Sequence, residues 1–288
     1  MSRPDLVVYH SPCLDGTTAA WTIWKKWKDV DFMPGVYQSD PAAFAVTKEC
    51  FRGKNVLILD FSYKAPQMRE LAFVAASITV LDHHESAERE LLPLFEEGVI
   101  GGEFDMKRSG AMMAWNYAFP HDVPPRLTQY VQDRDLWTWE LPDSQAINAY
   151  IQLHAQTFDT WNALALELMT PSGYKRACDV GGPLVDKAER ELTVGIAETT
   201  RRMRIAGYDV PVANLPYFMA SEAGNRLCKG EPFAAIYFDA TDGRRQFSLR
   251  SDKDSPNAVN VSLIASQFGG GGHKNAAGFT APNGWEGA

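Results

Sequence analysis

SITVLDHH, residues 77–84, decides the fold. Its first five residues are rich in β-branched side chains, end on consecutive apolar residues and are too few for a helix, which fits a strand buried in a parallel sheet. The run stops on Asp82, His83 and His84. Three adjacent titratable groups at the end of a buried strand are costly to desolvate unless something pairs with them. Metal coordination satisfies that need, and imidazole with carboxylate suits manganese, zinc or iron(II). A solvated surface turn is the structural alternative.

Two upstream runs repeat the pattern. LVVYH (6–10) ends on His10, and NVLILD (55–60) ends on Asp60. Between the three runs lie helical patterns: TTAAWTIWKKW (17–27), entered through Asp15 and Gly16, and APQMRELAFVAA (65–76), with Pro66 in its first turn. Strand and helix in alternation predict a parallel α/β sheet. Ligands of such sheets sit beyond the carboxyl ends of the strands, where His10, Asp60 and Asp82 to His84 all fall.

Further along, NALALELM (162–169) and VDKAERELTVGIAETTRRMR (185–204) read as helices. The texture changes near residue 207: YDVPVANL, PFAAIYFDA and RRQFSLRS read as strands, with the turn DATDGRR between the last two, and VSLIASQF (261–268) as a helix. The expected architecture is α/β throughout: a parallel-sheet domain over 1–145, a helical connector over 146–206, and a smaller mixed-sheet α/β domain over 207–288.

Composition bounds the chemistry. The 288 residues are 45% hydrophobic and 22% charged, an ordinary globular balance. No run approaches the roughly 20 apolar residues of a membrane helix, and MSRPDLVVYH lacks the pattern of a signal peptide. Cys13, Cys50, Cys178 and Cys228 form no CxxC pair, which removes a zinc knuckle or disulfide framework and makes a reducing cytoplasm the default expectation. The net charge of −8 argues against a broad basic face for long duplex nucleic acid. It leaves a phosphate-bearing substrate open, because bound divalent metals are often the largest local charges in a site.

Three more groups complete the candidates. HSPCLDG (10–16) puts an imidazole, a thiol and a carboxylate on one tight turn, with Gly16 allowing close backbone approach. YVQDRDLWTWEL (130–141) carries Asp133 and Asp135, which also read as a charged helix end. GGGGHKNAAG (269–278) reads as a loop whose amides can cradle an anion.

Singly, each group has a structural alternative, such as helix capping for Asp60. Their order is specific. His-x(4)-Asp-Gly, a strand-end Asp, Asp-His-His, Asp-x-Asp and then GGGxHxxAAG resembles the DHH phosphoesterase family with its C-terminal DHH-associated domain, over about residues 6–137 and 207–280. The first motif is similar to that of the branch containing bacterial nanoRNases.

The resemblance implies two divalent metals, manganese by expectation, bridged by Asp60. It assigns His10, Asp60 and Cys13 to one ion, and Asp15, Asp60, His83 and Asp133 to the other, with Asp135 as the alternative carboxylate. Asp82 becomes a partner that orients an imidazole, and His84 a donor to the phosphate. Arg250, His273 and the amides of Gly270, Gly271 and Gly272 become substrate contacts. Cys13 is a departure, since many relatives carry a ligating Asp there. A thiolate favours zinc or iron over manganese; otherwise that ion has fewer protein ligands and more water.

The implied activity is hydrolysis of short oligonucleotides to nucleoside 5′-monophosphates. Cyclic or linear dinucleotides, polyphosphate and small phosphomonoesters are the alternative substrates. A catalytically silent nucleotide-binding module is the alternative of another class.

Overall fold

The computed structural model describes residues 3–36 and 40–287. The chain divides into two compact units, 1–185 and 186–288.

The first unit is built on a five-stranded sheet. Its strands are β1 (Leu6–His10), β2 (Asp31–Gly35), β3 (Asn55–Leu59), β4 (Ser77–Asp82) and β5 (Gly101–Phe104), all parallel in the order β2-β1-β3-β4-β5. Side chains of a strand alternate between faces, and both faces here are apolar. Val8, Ile58 and Val80 pack with Phe44 and Phe51 of α2 (Pro41–Phe51), Met68 and Leu71 of α3 (Ala65–Val74), and Leu91 and Leu94 of α4 (Glu85–Glu96). Val7, Leu57, Leu59 and Leu81 pack with Ala19 and Ile23 of α1 (Leu14–Lys26) and Met113 and Ala114 of α5 (Gly110–Ala118). Truncating a core side chain such as Ile58 to Ala costs about 2–5 kcal/mol.

The expected strands over 6–10, 55–60 and 77–82 and the expected helices α1 and α3 are all present. β2 and β5 were not anticipated. They sit at the two sheet edges, the position that tolerates Pro34 and the paired Gly101 and Gly102.

Strand order reverses at β1, whose neighbours are β2 and β3. A crevice opens at such a reversal, outside the carboxyl ends of the strands. His10 is the last residue of β1 and Asp60 directly follows β3, so the topology alone places this imidazole and carboxylate side by side.

Helices α6 (Arg126–Asp135), α7 (Ser144–Gln152), α8 (Phe158–Leu168) and the start of α9 (Pro171–Thr199) form a third core around Trp21 and Trp161. The segment expected as a connector is therefore divided. Ile147, Ile151, Leu164 and Ala177 are buried within the first unit, and α9 carries the chain into the second.

The second unit is a six-stranded mixed sheet, β10-β11-β9-β8-β7-β6. Its strands are β6 (Arg201–Ile205), β7 (Tyr208–Asn214), β8 (Ala234–Asp239), β9 (Arg244–Arg250), β10 (Gly271–His273) and β11 (Ala276–Pro282). Every pair is antiparallel except β7 with β8. α10 (Ala220–Leu227) packs through Ala220 and Ala223 against Ile236, and α11 (Val261–Ser266) covers Phe247, Leu249 and Phe279. The glycine run expected as a loop is half strand, because Gly271 to His273 pair with β11. Among the described residues no helix is long and apolar enough to cross a membrane.

Candidate metal centre

Asp60 is the hub. It is 2% exposed and has a left-handed backbone, φ 54°, which a non-glycine residue adopts at an energetic cost. Its amide donates to the Leu81 carbonyl at 2.9 Å, which ties the strained residue to β4. The two carboxylate oxygens face different partners. Oδ2 lies 3.5 Å from His10 Nδ1 and accepts from Cys13 Sγ at 3.6 Å. Oδ1 lies 3.1 Å from His83 Nε2.

His83 gathers the other carboxylates. Its Nε2 is 3.4 Å from Asp135 Oδ2 and 3.7 Å from Asp15 Oδ2. Asp15, 1% exposed, is held from behind by the start of α5: Gly110 donates its amide to Oδ2 at 2.6 Å and Ala111 to Oδ1 at 3.1 Å. A helix N-terminus stabilises a carboxylate in this way. Two glycines make the packing possible. A Cβ on Gly110 would lie 2.5 Å from Asp60 Cβ, and one on Gly16 would lie 2.2 Å from the His10 carbonyl oxygen.

The electrostatics call for a cation. Burial pushes the Asp15 carboxyl well up, and the charges of Asp135 and Asp60 push it further. Burial also raises Asp135. For Asp60 burial acts upward too, but hydrogen bonds with His10 and His83 outweigh it and hold the carboxyl well below the usual range. His83 is pushed up to about 10: burial acts downward and is overcome by Asp60, Asp135 and Asp15. Three carboxyl groups, of Asp15, Asp60 and Asp135, thus surround the His83 imidazole within 3.7 Å. Divalent ions fit this donor set, with one group from His10, Cys13 and Asp60 and another from Asp15, Asp60 and His83, each within 4.8 Å.

Asp82 and His84 form the flank. Asp82 Oδ1 accepts from His84 Nδ1 at 2.6 Å and from the His83 amide at 2.7 Å. Its Oδ2 is buried without a hydrogen-bond partner among the described residues. The His84 imidazole is raised, because Asp82 overcomes the downward effect of burial.

Asp133 does not join the cluster through its bonds. Its Oδ1 accepts from Thr138 Oγ1 at 2.7 Å and from the Glu140 amide at 2.9 Å, and its Oδ2 from the Leu141 amide at 3.3 Å. These bonds hold a loop in which Trp137 and Trp139 both have positive φ. Asp135, and not Asp133, brings the carboxylate to His83. Of the two carboxylates that the Asp-x-Asp pair offers, Asp135 is the one beside His83.

In the second unit, Arg250 donates from Nη2 to Ser221 Oγ at 2.8 Å and from Nη1 to its own neighbour, the Leu249 carbonyl, at 2.8 Å. The Gly270 amide donates to the Ala265 carbonyl at the end of α11, at 2.9 Å. Gly271, Gly272 and His273 lie on β10, at the sheet edge.

Sequence reasoning missed the amides of Gly110 and Ala111. The signal was present: Ser109 before Gly110 is a helix N-cap in RSGAMMAW, and its side chain accepts from the Met112 amide.

Residues 219–287 match the model of the DHHA1 domain. An uncharacterised protein of Acanthamoeba polyphaga mimivirus, R106, is 31% identical over 96% of this chain and 67% of its own length. Oligoribonuclease NrnB of Bacillus subtilis is 24% identical over 80% of this chain and 60% of its own. The chain belongs to the DHH family of metal-dependent phosphoesterases. In this DHH phosphoesterase a parallel-sheet unit precedes the DHHA1 domain. The solved DHH domain of a protein assigned to a family of ribosomal proteins shares the fold, with a TM-score of 0.51 at 12% identity over 96% of this chain and 82% of that one. The chain spans 60–67% of the length of the two curated relatives.

Proposed function

We propose that this DHH phosphoesterase hydrolyses short oligonucleotides to nucleoside 5′-monophosphates at a two-metal centre organised by Asp60. The observation that carries this reading is the split of donors around Asp60: His10 and Cys13 beside Oδ2, and His83 beside Oδ1, with Asp15 and Asp135 next to His83.

His10, Cys13 and Asp60 would hold one ion; Asp15, Asp60, His83 and Asp135 would hold the other. When bound, such ions supply Lewis-acid stabilisation of a phosphoryl group and lower the pKa of water. The chain's own residues do the rest. The strained backbone of Asp60 and the α5 amides on Asp15 fix the carboxylates before any ligand arrives, which avoids reorganisation during reaction. Asp82 Oδ1 holds His84 Nδ1 at 2.6 Å and, against the effect of burial, shifts the imidazole toward its protonated form. His84 then donates a charge-assisted hydrogen bond to a phosphate oxygen. Arg250 is the proposed phosphate contact of the second unit.

Short substrates are favoured by two facts. The net charge of −8 offers little for a long polyanion, and the NrnB relative is named an oligoribonuclease. Trp137 and Trp139, 5.0 Å apart and part-buried, offer faces on which bases can stack. The test compares initial rates on a dinucleotide, a pentanucleotide and a twenty-residue single strand, with products resolved by length. The reading expects rates to fall with length and mononucleotides to appear from the start. Rates rising steadily with length would refute it.

A further inference from the structure

The two oxygens of Asp60 divide donors of unlike hardness. Around Oδ2 stand one sulfur and one nitrogen, Cys13 Sγ at 3.6 Å and His10 Nδ1 at 3.5 Å. Around Oδ1 stands His83 Nε2 at 3.1 Å, itself beside carboxylate oxygens of Asp135 and Asp15 at 3.4 and 3.7 Å. One side is a sulfur–nitrogen–oxygen set and the other is a nitrogen with three carboxylates. Soft thiolate selects zinc, iron or cobalt, while carboxylate-rich sets suit manganese and magnesium.

The sulfur is held by the backbone. Cys13 is the N-cap of α1, and its carbonyl accepts from the Thr17 amide at 3.0 Å. The following turn is clamped, because Gly16 lies against the His10 carbonyl with no room for a Cβ. Cys13, His10 and Asp60 each bring a ligand atom within 4.8 Å of the others. None of the other three cysteines belongs to any such group among the described residues.

We propose that the centre is asymmetric: the His10, Cys13 and Asp60 set takes a thiophilic divalent ion through Cys13 Sγ, whose thiol proton is released to solvent as the ion binds, and the Asp15, Asp60, His83 and Asp135 set takes an oxygen-preferring ion such as manganese. The proposal rests on the two-metal reading above and goes beyond it in stating that the two ions differ. A natural consequence is that thiol-directed oxidants or alkylating agents are excluded from Cys13 while the ion is bound.

The experiment uses cobalt(II) alone as probe, titrated into the full chain after exhaustive chelation and followed by absorption. Thiolate-bound cobalt gives an intense near-ultraviolet charge-transfer band that carboxylate-bound cobalt lacks. The wild type should develop that band with the first equivalent, and a second equivalent should add only weak visible bands. Cys13→Ser should lose the near-ultraviolet band and keep the visible ones, while Cys178→Ser keeps both. Circular dichroism confirms that each variant is folded. Exposing the chelated protein to equal zinc and manganese, followed by elemental analysis, should give one of each per chain; Cys13→Asp should shift that ratio toward manganese.

Cobalt bound without the charge-transfer band, or a band that survives Cys13→Ser, would overturn the asymmetry and leave the two-metal reading standing. Failure of the wild-type chain to bind cobalt, zinc or manganese would overturn both.

Discussion

The amide of Gly110 and the Oδ2 oxygen of Asp15 lie 2.6 Å apart, joining the first turn of α5 to the first turn of α1 across 95 residues of sequence. This bond holds a buried carboxylate that its neighbours disfavour. A side chain at Gly110 would collide with both Asp60 and Asp15. Gly110→Ala should therefore weaken metal binding sharply and destabilise the fold by about 1–3 kcal/mol through overpacking. Calorimetric metal titration and thermal unfolding measure the two effects. Wild-type metal affinity in this variant would mean that Asp15 is not a ligand.

Asp133 and Asp135 should separate cleanly. Asp135→Asn removes the oxygen beside His83 Nε2 and should lower metal occupancy and turnover together. Asp133→Ala leaves the amides of Glu140 and Leu141 without their acceptor. A hydrogen bond to a charged group contributes about 1.5–3 kcal/mol, so that variant should lose stability while keeping its metal. Elemental analysis beside denaturant unfolding decides it, and the reverse pattern returns the ligand role to Asp133.

Asp82→Ala should keep the metals and lose rate, because Asp82 bonds the His84 ring and not His83 Nε2. Losses for such supporting residues are typically about 10–100-fold. His84→Gln should show a similar fall in kcat with little change in KM. Complete loss of bound metal in Asp82→Ala would show that its buried Oδ2 is a ligand.

Arg250→Ala should raise KM for a dinucleotide more than it slows hydrolysis of a simple aryl phosphate ester, which lacks a second contact. Steady-state kinetics on both substrates test this. Equal effects on the two would remove Arg250 from substrate recognition and leave it as the structural partner of Ser221.

Much of this was legible in the sequence. LVVYH, NVLIL and SITVLD are buried on both faces by covering helices, so their composition alone marks them as central parallel strands. β2 and β5 were not legible, because DFMPG and GGEF gain their strand character only from parallel pairing at the sheet edges. The choice between Asp133 and Asp135 was also hidden. Two residues apart on a helix point about 200° apart. Which one meets the cluster depends on the rotation of α6, set by burial of Leu127, Tyr130 and Val131 in a core made largely from distant helices.

The central claim is that Asp60 organises two divalent ions that the phosphoesterase reaction requires. The most direct measurement is metal stoichiometry by elemental analysis, with parallel assays on a dinucleotide before and after chelation, for the wild type and Asp60→Ala. The account predicts two ions per wild-type chain, activity abolished by chelation and restored by manganese, and neither full occupancy nor activity in Asp60→Ala. Full hydrolysis by the exhaustively chelated wild type, or two tightly held ions in Asp60→Ala, would contradict it.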